Sequence, residues 1–154
     1  MTETLSTIFQ RTRGAPIEVS GRLVQPIFEK TIETGQSNFF AHRLGVSNEV
    51  LTGLRLKSAN GYINININNQ RYTDVILWSD TSPESVYFSV VAKKAGVLKI
   101  WNVWRADNII QAWVGNAGIM VSEEAQGKLM KLECSGGTET ADFTTLIYEI
   151  KSIS

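Results

Sequence analysis

The chain of 154 residues is poor in the residues that build disulfide frameworks, metal sites and membrane spans. It contains one cysteine, one histidine and three prolines. A single cysteine excludes an intrachain disulfide framework and a cysteine-based metal cluster, and it is typical of proteins in a reducing compartment. No apolar run reaches the roughly 18 residues that a membrane-spanning helix needs, so we expect no membrane insertion.

The first 16 residues, MTETLSTIFQRTRGAP, lack the apolar segment of a secretory signal peptide. Together with the cysteine count, this absence predicts a cytoplasmic protein, with export by a signal-independent route as the alternative. These residues show no sustained periodicity, and we expect a partly ordered arm over residues 1–16 with a short strand from Leu5 to Phe9. The rest of the chain, residues 17–154, has the length of one domain.

Charge gives no indication of a polyanionic partner. Fifteen basic and fifteen acidic residues cancel to a formal net charge of +0. We therefore expect neither nucleic acid nor an anionic membrane as a partner. The balance hides an asymmetry, because residues 50–105 contain seven lysines or arginines and only three acids.

Three of the four tryptophans lie between Gly96 and Gly118, in a segment typical of a β-hairpin. The first arm ends at the turn residues Asp107 and Asn108, and Ile109 to Val114 forms the second arm. Alternation along the first arm places Trp101 and Trp104 on opposite faces, each among apolar neighbours. This pattern predicts a central strand.

Short alternating segments separated by turn residues continue along the chain. The clearest is the run in which Ile63, Ile65 and Ile67 alternate with Asn64, Asn66 and Asn68, which predicts a half-buried strand with a row of asparagines on its solvent face. Residues 36–48 lack strict alternation and predict a loop or one helical turn. With about ten strands and no convincing amphipathic helix, the sequence predicts an all-β protein, a single antiparallel β-sandwich of jelly-roll type.

The tryptophan hairpin also supplies the candidate binding residues. An indole face suits the C–H groups of a sugar ring, and neighbouring amide and carboxylate groups can bind its hydroxyls. Loops held by a rigid scaffold commonly carry such groups, which favours the turn of the hairpin. The competing interpretation is that the tryptophans pack in the core, with Trp101 or Trp113 in that role. The predicted ligand-binding residues are Trp104, Arg105, Asp107, Asn108 and Asn116.

Catalytic and cofactor motifs are missing from the sequence. His42 and Cys134 could form a dyad only through the fold, and Cys134 lies at the inward phase of a strand, where cysteines are usually inert. Loop acids such as Asp107 and Asp142 could bind calcium, but their spacing identifies no site. We expect no enzyme and no cofactor.

The end of the chain resembles a known family. The loop from Gly136 to Asp142 runs into the segment DFTTLIYEI, which is similar to the closing strand of galactose-binding-like jelly rolls, the family of lectins and carbohydrate-binding modules. The resemblance covers about the last dozen residues and the strand rhythm. It implies a β-sandwich with a carbohydrate ligand bound by variable loops, and it assigns no ligand residue here.

Two functions follow as expectations from these patterns. The first is a non-catalytic carbohydrate-binding module that uses aromatic and amide groups on loops of a β-sandwich. The alternative is a structural or assembly protein that forms a homo-oligomer or binds a protein partner through its sheet faces. In the alternative, the asparagine row and the central tryptophans would form the interface.

Overall fold

The chain folds into two antiparallel β-sheets packed against each other, in a computed structural model that describes residues 3–65 and 70–153. The content is 60% strand and 7% helix, so the predicted all-β sandwich is confirmed. The jelly-roll connectivity stays a prediction. Over the described residues there are fourteen strands rather than about ten.

Helix and strands follow one another along the chain with short connections. In order they are α1 (Leu5–Thr12), β1 (Ile17–Val19), β2 (Arg22–Gln25), β3 (Phe28–Ile32), β4 (Gly35–Val46), β5 (Thr52–Ser58), β6 (Gly61–Ile65), β7 (Gln70–Tyr72), β8 (Asp74–Trp78), β9 (Ser85–Ala92), β10 (Gly96–Ala106), β11 (Ile109–Gln111), β12 (Gly118–Glu124), β13 (Leu129–Ser135) and β14 (Leu146–Ile153). One turn of 3-10 helix, Ala125–Gly127, joins β12 to β13.

The nine-stranded sheet has the order β1-β2-β12-β13-β14-β4-β9-β6-β7, and the five-stranded sheet contains β11-β10-β5-β8 with β3 paired to β10. Every recorded strand pair is antiparallel, as expected for a sandwich built from hairpins. The inner faces of both sheets form the main core. Its largest fully buried side chains include Tyr148, Phe88, Leu54, Ile100 and Met130.

The predicted strand at Leu5 to Phe9 is wrong, because these residues begin the helix α1. Thr4 caps the helix by accepting a hydrogen bond from the backbone N–H of Thr7, at 3.3 Å. The helical spacing of Leu5 and Phe9 places both on one side, where they pack with Val24 and Met120 in a second, smaller core. The arm is therefore an amphipathic helix docked on the outside of the nine-stranded sheet.

The prediction for residues 36–48 is also wrong, because β4 is a strand of twelve residues. Its alternation is hidden in the sequence because both of its faces contact aromatic groups. Phe39 stacks on Phe88 in the core, while Phe40 lies against Tyr87 on the outer face with ring centroids 4.5 Å apart. A register shift in its pairing with β14 disturbs the pattern further.

The prediction for the asparagine row is tested only in part. Ile63 and Ile65 are buried and Asn64 lies between them in β6, which agrees with a half-buried strand. Asn66, Ile67 and Asn68 lie outside the described residues.

The predicted tryptophan hairpin is confirmed, and β10 is a central strand. It pairs with β5 over seven positions on one side and with β3 and β11 on the other. Its turn has two central residues, Asp107 and Asn108, with φ of 52° and 62°, as a type I′ turn requires. The second arm ends at Gln111 rather than Val114, because Trp113 adopts a left-handed φ of 59° that no strand can contain.

Candidate functional site

The outer face of the five-stranded sheet carries an aromatic and cationic surface. Strand register places Trp101 directly opposite Arg55, and Trp78 opposite Gly53. Trp113 reaches the same face from the segment that follows β11. We call this surface the tryptophan face and define it by Trp78, Trp101, Trp113, Arg55 and Arg105.

Trp101 lies at the centre of the tryptophan face and is only 5% exposed. The Cζ atom of Arg55 lies 5.4 Å from the Trp101 ring centroid. Trp113 stacks on the same indole, with centroids 5.1 Å apart and planes at 29°. Trp101 therefore lies on the same side of β10 as the exposed Lys99 and Arg105 but is buried and belongs to the main hydrophobic cluster, which agrees with the interpretation of Trp101 as a core residue. Its buried Nε1 atom has no hydrogen-bond partner among the described residues.

Trp113 is the exposed member of this stack, with 44% of its surface accessible. Its Nε1 donates a hydrogen bond to the backbone oxygen of Pro26 at 3.2 Å, which fixes the ring on the sheet. The left-handed φ of 59° costs a bulky residue about 1–2 kcal/mol. Such strain persists only where the surroundings enforce it, and it is concentrated at functional sites. Trp113 is thus an exposed ring held in one orientation.

Arg55 is fixed by a bidentate ion pair. Its Nε and Nη2 donate hydrogen bonds to the two carboxylate oxygens of Asp74, at 2.8 and 2.7 Å. The hydrogen bonds from Arg55 lower the pKa of Asp74, and those to Asp74 raise the pKa of Arg55. The fork geometry leaves the guanidinium plane little freedom. The guanidinium of Arg55 is therefore held in a fixed position beside the Trp101 ring.

Trp78 and Arg105 form a second cation–π contact on the same face. The Cζ atom of Arg105 lies 5.1 Å from the Trp78 ring centroid. Gly53 makes room for the indole, because a Cβ at that position would lie 3.0 Å from Cε3 of Trp78. Arg105 is exposed, as predicted, and it belongs to the tryptophan face.

A cavity of about 150 Å³ opens beside the stacked indoles. Its walls are apolar on one side and positively charged on the other, since Lys57 and Lys99 stand directly opposite each other on β5 and β10. A sugar ring could contact the indole carbons here while the ammonium groups bind its oxygens. The lining residues are Ile27, Lys57, Ala59, Lys99, Trp101 and Trp113.

The structure places Asp107 and Asn108 away from this cavity. Both are exposed at the tip of the hairpin, as predicted. Asp107 is six residues beyond Trp101, which corresponds to roughly 20 Å along an extended strand. The turn and the stacked indoles therefore do not form one site.

The prediction that Trp104 is presented to a ligand is not supported, because Trp104 is 6% exposed on the inner side of its sheet. The loop at Gly136 and Gly137 covers its ring, and a Cβ on Gly137 would lie 2.5 Å from Cζ2 of Trp104. One edge of the indole reaches a cavity of about 250 Å³ that Glu49 and Asp142 also line. Trp104 is therefore mainly a core residue.

Asn116 is likewise buried, with 7% exposure. Its Nδ2 donates to the backbone oxygens of Thr138 and Glu139 at 2.9 and 2.8 Å. Its Oδ1 accepts a hydrogen bond from the backbone N–H of Leu5 at 3.1 Å. All the donors of the amide are used inside the protein, so Asn116 joins α1 to a distant loop and is not exposed for a ligand.

His42 and Cys134 do not form a dyad. Cys134 is buried in the main core, and burial raises the pKa of its thiol well above the ordinary range. The Nδ1 atom of His42 instead lies 2.6 Å from the Oγ of Ser85. In the part of the chain that the structure describes, no group of three or more His, Cys, Asp or Glu side chains could hold a metal ion. No helix in the same residues is long and apolar enough to cross a membrane.

Sequence reasoning missed Arg55, Lys57 and Lys99, and it gave Trp113 as an alternative to Trp101 for the core residue. Both lysines are exposed on their strands. Their direct opposition depends on the register between β5 and β10, which are separated by a long stretch of chain. No pattern in one sequence reports that register.

Comparison of the chain with protein-family models, with curated proteins and with solved structures gives no match. The role of the tryptophan face therefore has to be argued from its own geometry and chemistry.

Proposed function

We propose that the protein is a non-catalytic carbohydrate-binding module that takes a sugar ring against the exposed face of Trp113. The observation that supports the proposal is the Trp101–Trp113 stack beside a cavity with a charged rim. Trp113 combines 44% exposure with a strained backbone and a fixed indole N–H.

Rigidity of the exposed ring favours this function. Binding a sugar costs less free energy when the protein side chain is already ordered, because no rotamer freedom is then lost on association. Trp113 is ordered by its stack on Trp101 and by its hydrogen bond to Pro26. A surface tryptophan without a role in binding would not need this support.

The size of the cavity limits what is bound. Drug-sized ligands occupy pockets of roughly 300 to 1,000 Å³. The cavity beside Trp113 measures about 150 Å³. We therefore expect one sugar ring to be contacted closely, with modest affinity for a single ring and stronger binding of an oligosaccharide.

The test is a glycan array followed by titration of the bound glycans with two matched variants. Trp113→Ala removes the proposed contact. Tyr87→Ala is the control, because Tyr87 is also an exposed aromatic residue in contact with another ring, on the outer face of the other sheet. We expect Trp113→Ala to abolish binding and Tyr87→Ala to retain it. Equal binding by the two variants, or no bound glycan, would contradict the proposal.

A second candidate function is assembly through the edge of the five-stranded sheet. In the described part of the chain β11 pairs only with β10, and its residues Ile109 and Ile110 are exposed together with Val114. An apolar edge strand is a surface on which another chain can pair. Light scattering of the purified protein tests this function. An oligomer that Ile110→Lys converts to a monomer would support it, and a monomer at all concentrations would exclude it.

A further inference from the structure

Lys57 and Lys99 form an unusual pair at the rim of the Trp113 cavity. They lie directly opposite each other in neighbouring strands, and like charges in this position destabilise a sheet. Both are exposed. No ion pair of either lysine occurs among residues 3–65 and 70–153.

The nearest acids in the register form no ion pair with these lysines, although the charge of Lys57 contributes to the lowered pKa of Asp74. Asp74 is opposite Lys57 on β8, but both of its oxygens accept hydrogen bonds from Arg55. Glu29 is opposite Lys99 on β3, and the two side chains form no ion pair. Two ammonium groups thus face the cavity without a bound carboxylate.

Two further lysines border a second, larger cavity next to the first. Lys93 and Lys94 are exposed in the turn between β9 and β10. The cavity has a volume of about 640 Å³ and is lined by Asn60, Gly61, Tyr62, Thr73, Lys93 and Lys94.

The two cavities adjoin through one turn of the chain. Ala59 lines the first cavity, and Asn60, the next residue, lines the second. The backbone N–H of Lys93 donates a hydrogen bond to the backbone oxygen of Asn60 at 3.2 Å, which holds the two turns together. The lysine band is defined as Lys57 and Lys99 at the first cavity together with Lys93 and Lys94 at the second.

Each cavity also has an aromatic wall. In the first it is the Trp101–Trp113 stack. In the second it is Tyr62, whose ring centroid lies 4.6 Å from the Cζ atom of Arg71. Tyr62 is opposite Val91 in the register, so its ring belongs to the outer face of the nine-stranded sheet, and only the first cavity has its aromatic wall on the tryptophan face.

We infer that the ligand of this surface is an acidic oligosaccharide, whose carboxylate or sulfate groups bind the lysine band while one of its rings contacts Trp113. This inference rests on the proposed carbohydrate-binding function and adds the charge of the ligand. Single-stranded nucleic acid also combines stacking with a positive groove. It is disfavoured here because the net charge of +0 lacks the excess of basic residues typical of such proteins.

The experiment is calorimetric titration with oligosaccharides in matched acidic and neutral forms. The panel contains uronic acid oligomers with their methyl esters, and sulfated oligomers with their desulfated forms. Members of a pair share sugar and linkage and differ only in charge. We expect the acidic member to bind at least about tenfold more tightly at low salt, and the advantage to shrink at high salt because the lysines are exposed.

Two double variants locate the effect. Lys57→Gln with Lys99→Gln should weaken binding of the acidic member by about tenfold, as expected for the loss of two exposed ion pairs, and leave the neutral member unchanged. Lys131→Gln with Lys151→Gln is the control, because it makes the same change in net charge with two exposed lysines of the nine-stranded sheet.

The results separate the two proposals. Equal affinities for acidic and neutral members, or equal losses in the two double variants, would overturn the inference. The carbohydrate-binding function would then still stand if Trp113→Ala abolishes binding. An oligothymidylate that binds more tightly than every oligosaccharide, or no binding to any member of the panel, would overturn both.

Discussion

The outer faces of the two sheets are both built from antiparallel strands, but they differ in whether their polar side chains have partners. On the nine-stranded sheet, Gln36, Asn38 and Ser89 form a polar ladder whose members satisfy one another: Ser89 Oγ and Gln36 Nε2 both donate to Asn38 Oδ1, at 2.8 Å. On the five-stranded sheet, Lys57 and Lys99 oppose each other without an ion pair among the described residues.

The covering of the two faces differs as well. Helix α1 lies over one end of the nine-stranded sheet and buries Val24 and Met120. On the tryptophan face, Trp101 is covered by Trp113, and Trp113 itself stays 44% exposed. A face whose groups are satisfied and partly covered stabilises the fold. The face whose groups are strained, exposed or unpaired is the better candidate for binding.

The largest expected effect on stability comes from Trp104, on the inner side of β10. Trp104→Ala should lower the free energy of unfolding by about 3–5 kcal/mol, because it leaves a cavity in a packed interior. Urea denaturation measures the change. A loss below about 1 kcal/mol would mean that Trp104 is not a core residue. The cavity that it lines with Glu49 and Asp142 would then become a candidate binding site.

The next largest effect concerns the docking of α1 on the nine-stranded sheet. Asn116→Ala should cost roughly 2 kcal/mol, because it leaves the buried N–H of Leu5 and the backbone oxygens of Thr138 and Glu139 without a partner. Hydrogen exchange should show faster exchange of the α1 amides, with the strands of the five-stranded sheet unchanged. Uniformly faster exchange in both sheets would contradict a local role for Asn116.

A smaller effect tests the strain on the tryptophan face. At most positions alanine is more stable than glycine, but Trp113 has a φ of 59°. Trp113→Gly should therefore be more stable than Trp113→Ala by about 1 kcal/mol, since only glycine adopts this conformation without cost. Thermal melts of the two variants measure the difference. The usual order, with alanine the more stable, would show that the backbone is not strained here.

The smallest effect concerns pH. The ion pair with Arg55 lowers the pKa of Asp74, so its stabilising contribution is present above the ordinary carboxyl pKa and is lost as pH falls through the lowered value. Asp74→Asn should cost about 0.5–1 kcal/mol at pH 7 and nothing at strongly acidic pH. Asp80→Asn, which removes an exposed acid, is the control. Equal losses for Asp74→Asn at both pH values would contradict this role for the ion pair.

The fold was predictable where one strand face is apolar and the other is not. Alternation predicted β10, its turn at Asp107 and Asn108, and the half-buried strand that contains Ile63 and Ile65. It failed for β4, where Phe40 packs against Tyr87 on the outside and so resembles a core residue. Helix α1 was not predicted, because the Thr4 cap and the spacing of Leu5 and Phe9 span only eight residues, too few to separate a helix from a short strand.

The candidate site was less predictable than the fold. The tryptophans were identified, but one sequence does not report that Trp113 covers Trp101 on the outside while Trp104 faces the core. That distinction depends on which neighbour each indole meets. The pair of Lys57 and Lys99 depends on strand register in the same way.

The bond between Asn116 and Leu5 also determines when α1 can form during synthesis. Its acceptor lies 111 residues after its donor, so at least that many residues must be made after Leu5 before this bond can form. A helix of eight residues is unstable alone, since isolated helices need roughly 12–15 residues even to be marginal. Helix α1 is thus made before the residues that fix it in place. A chain that stops before Asn116 leaves Leu5 and Phe9 exposed to solvent and to chaperones.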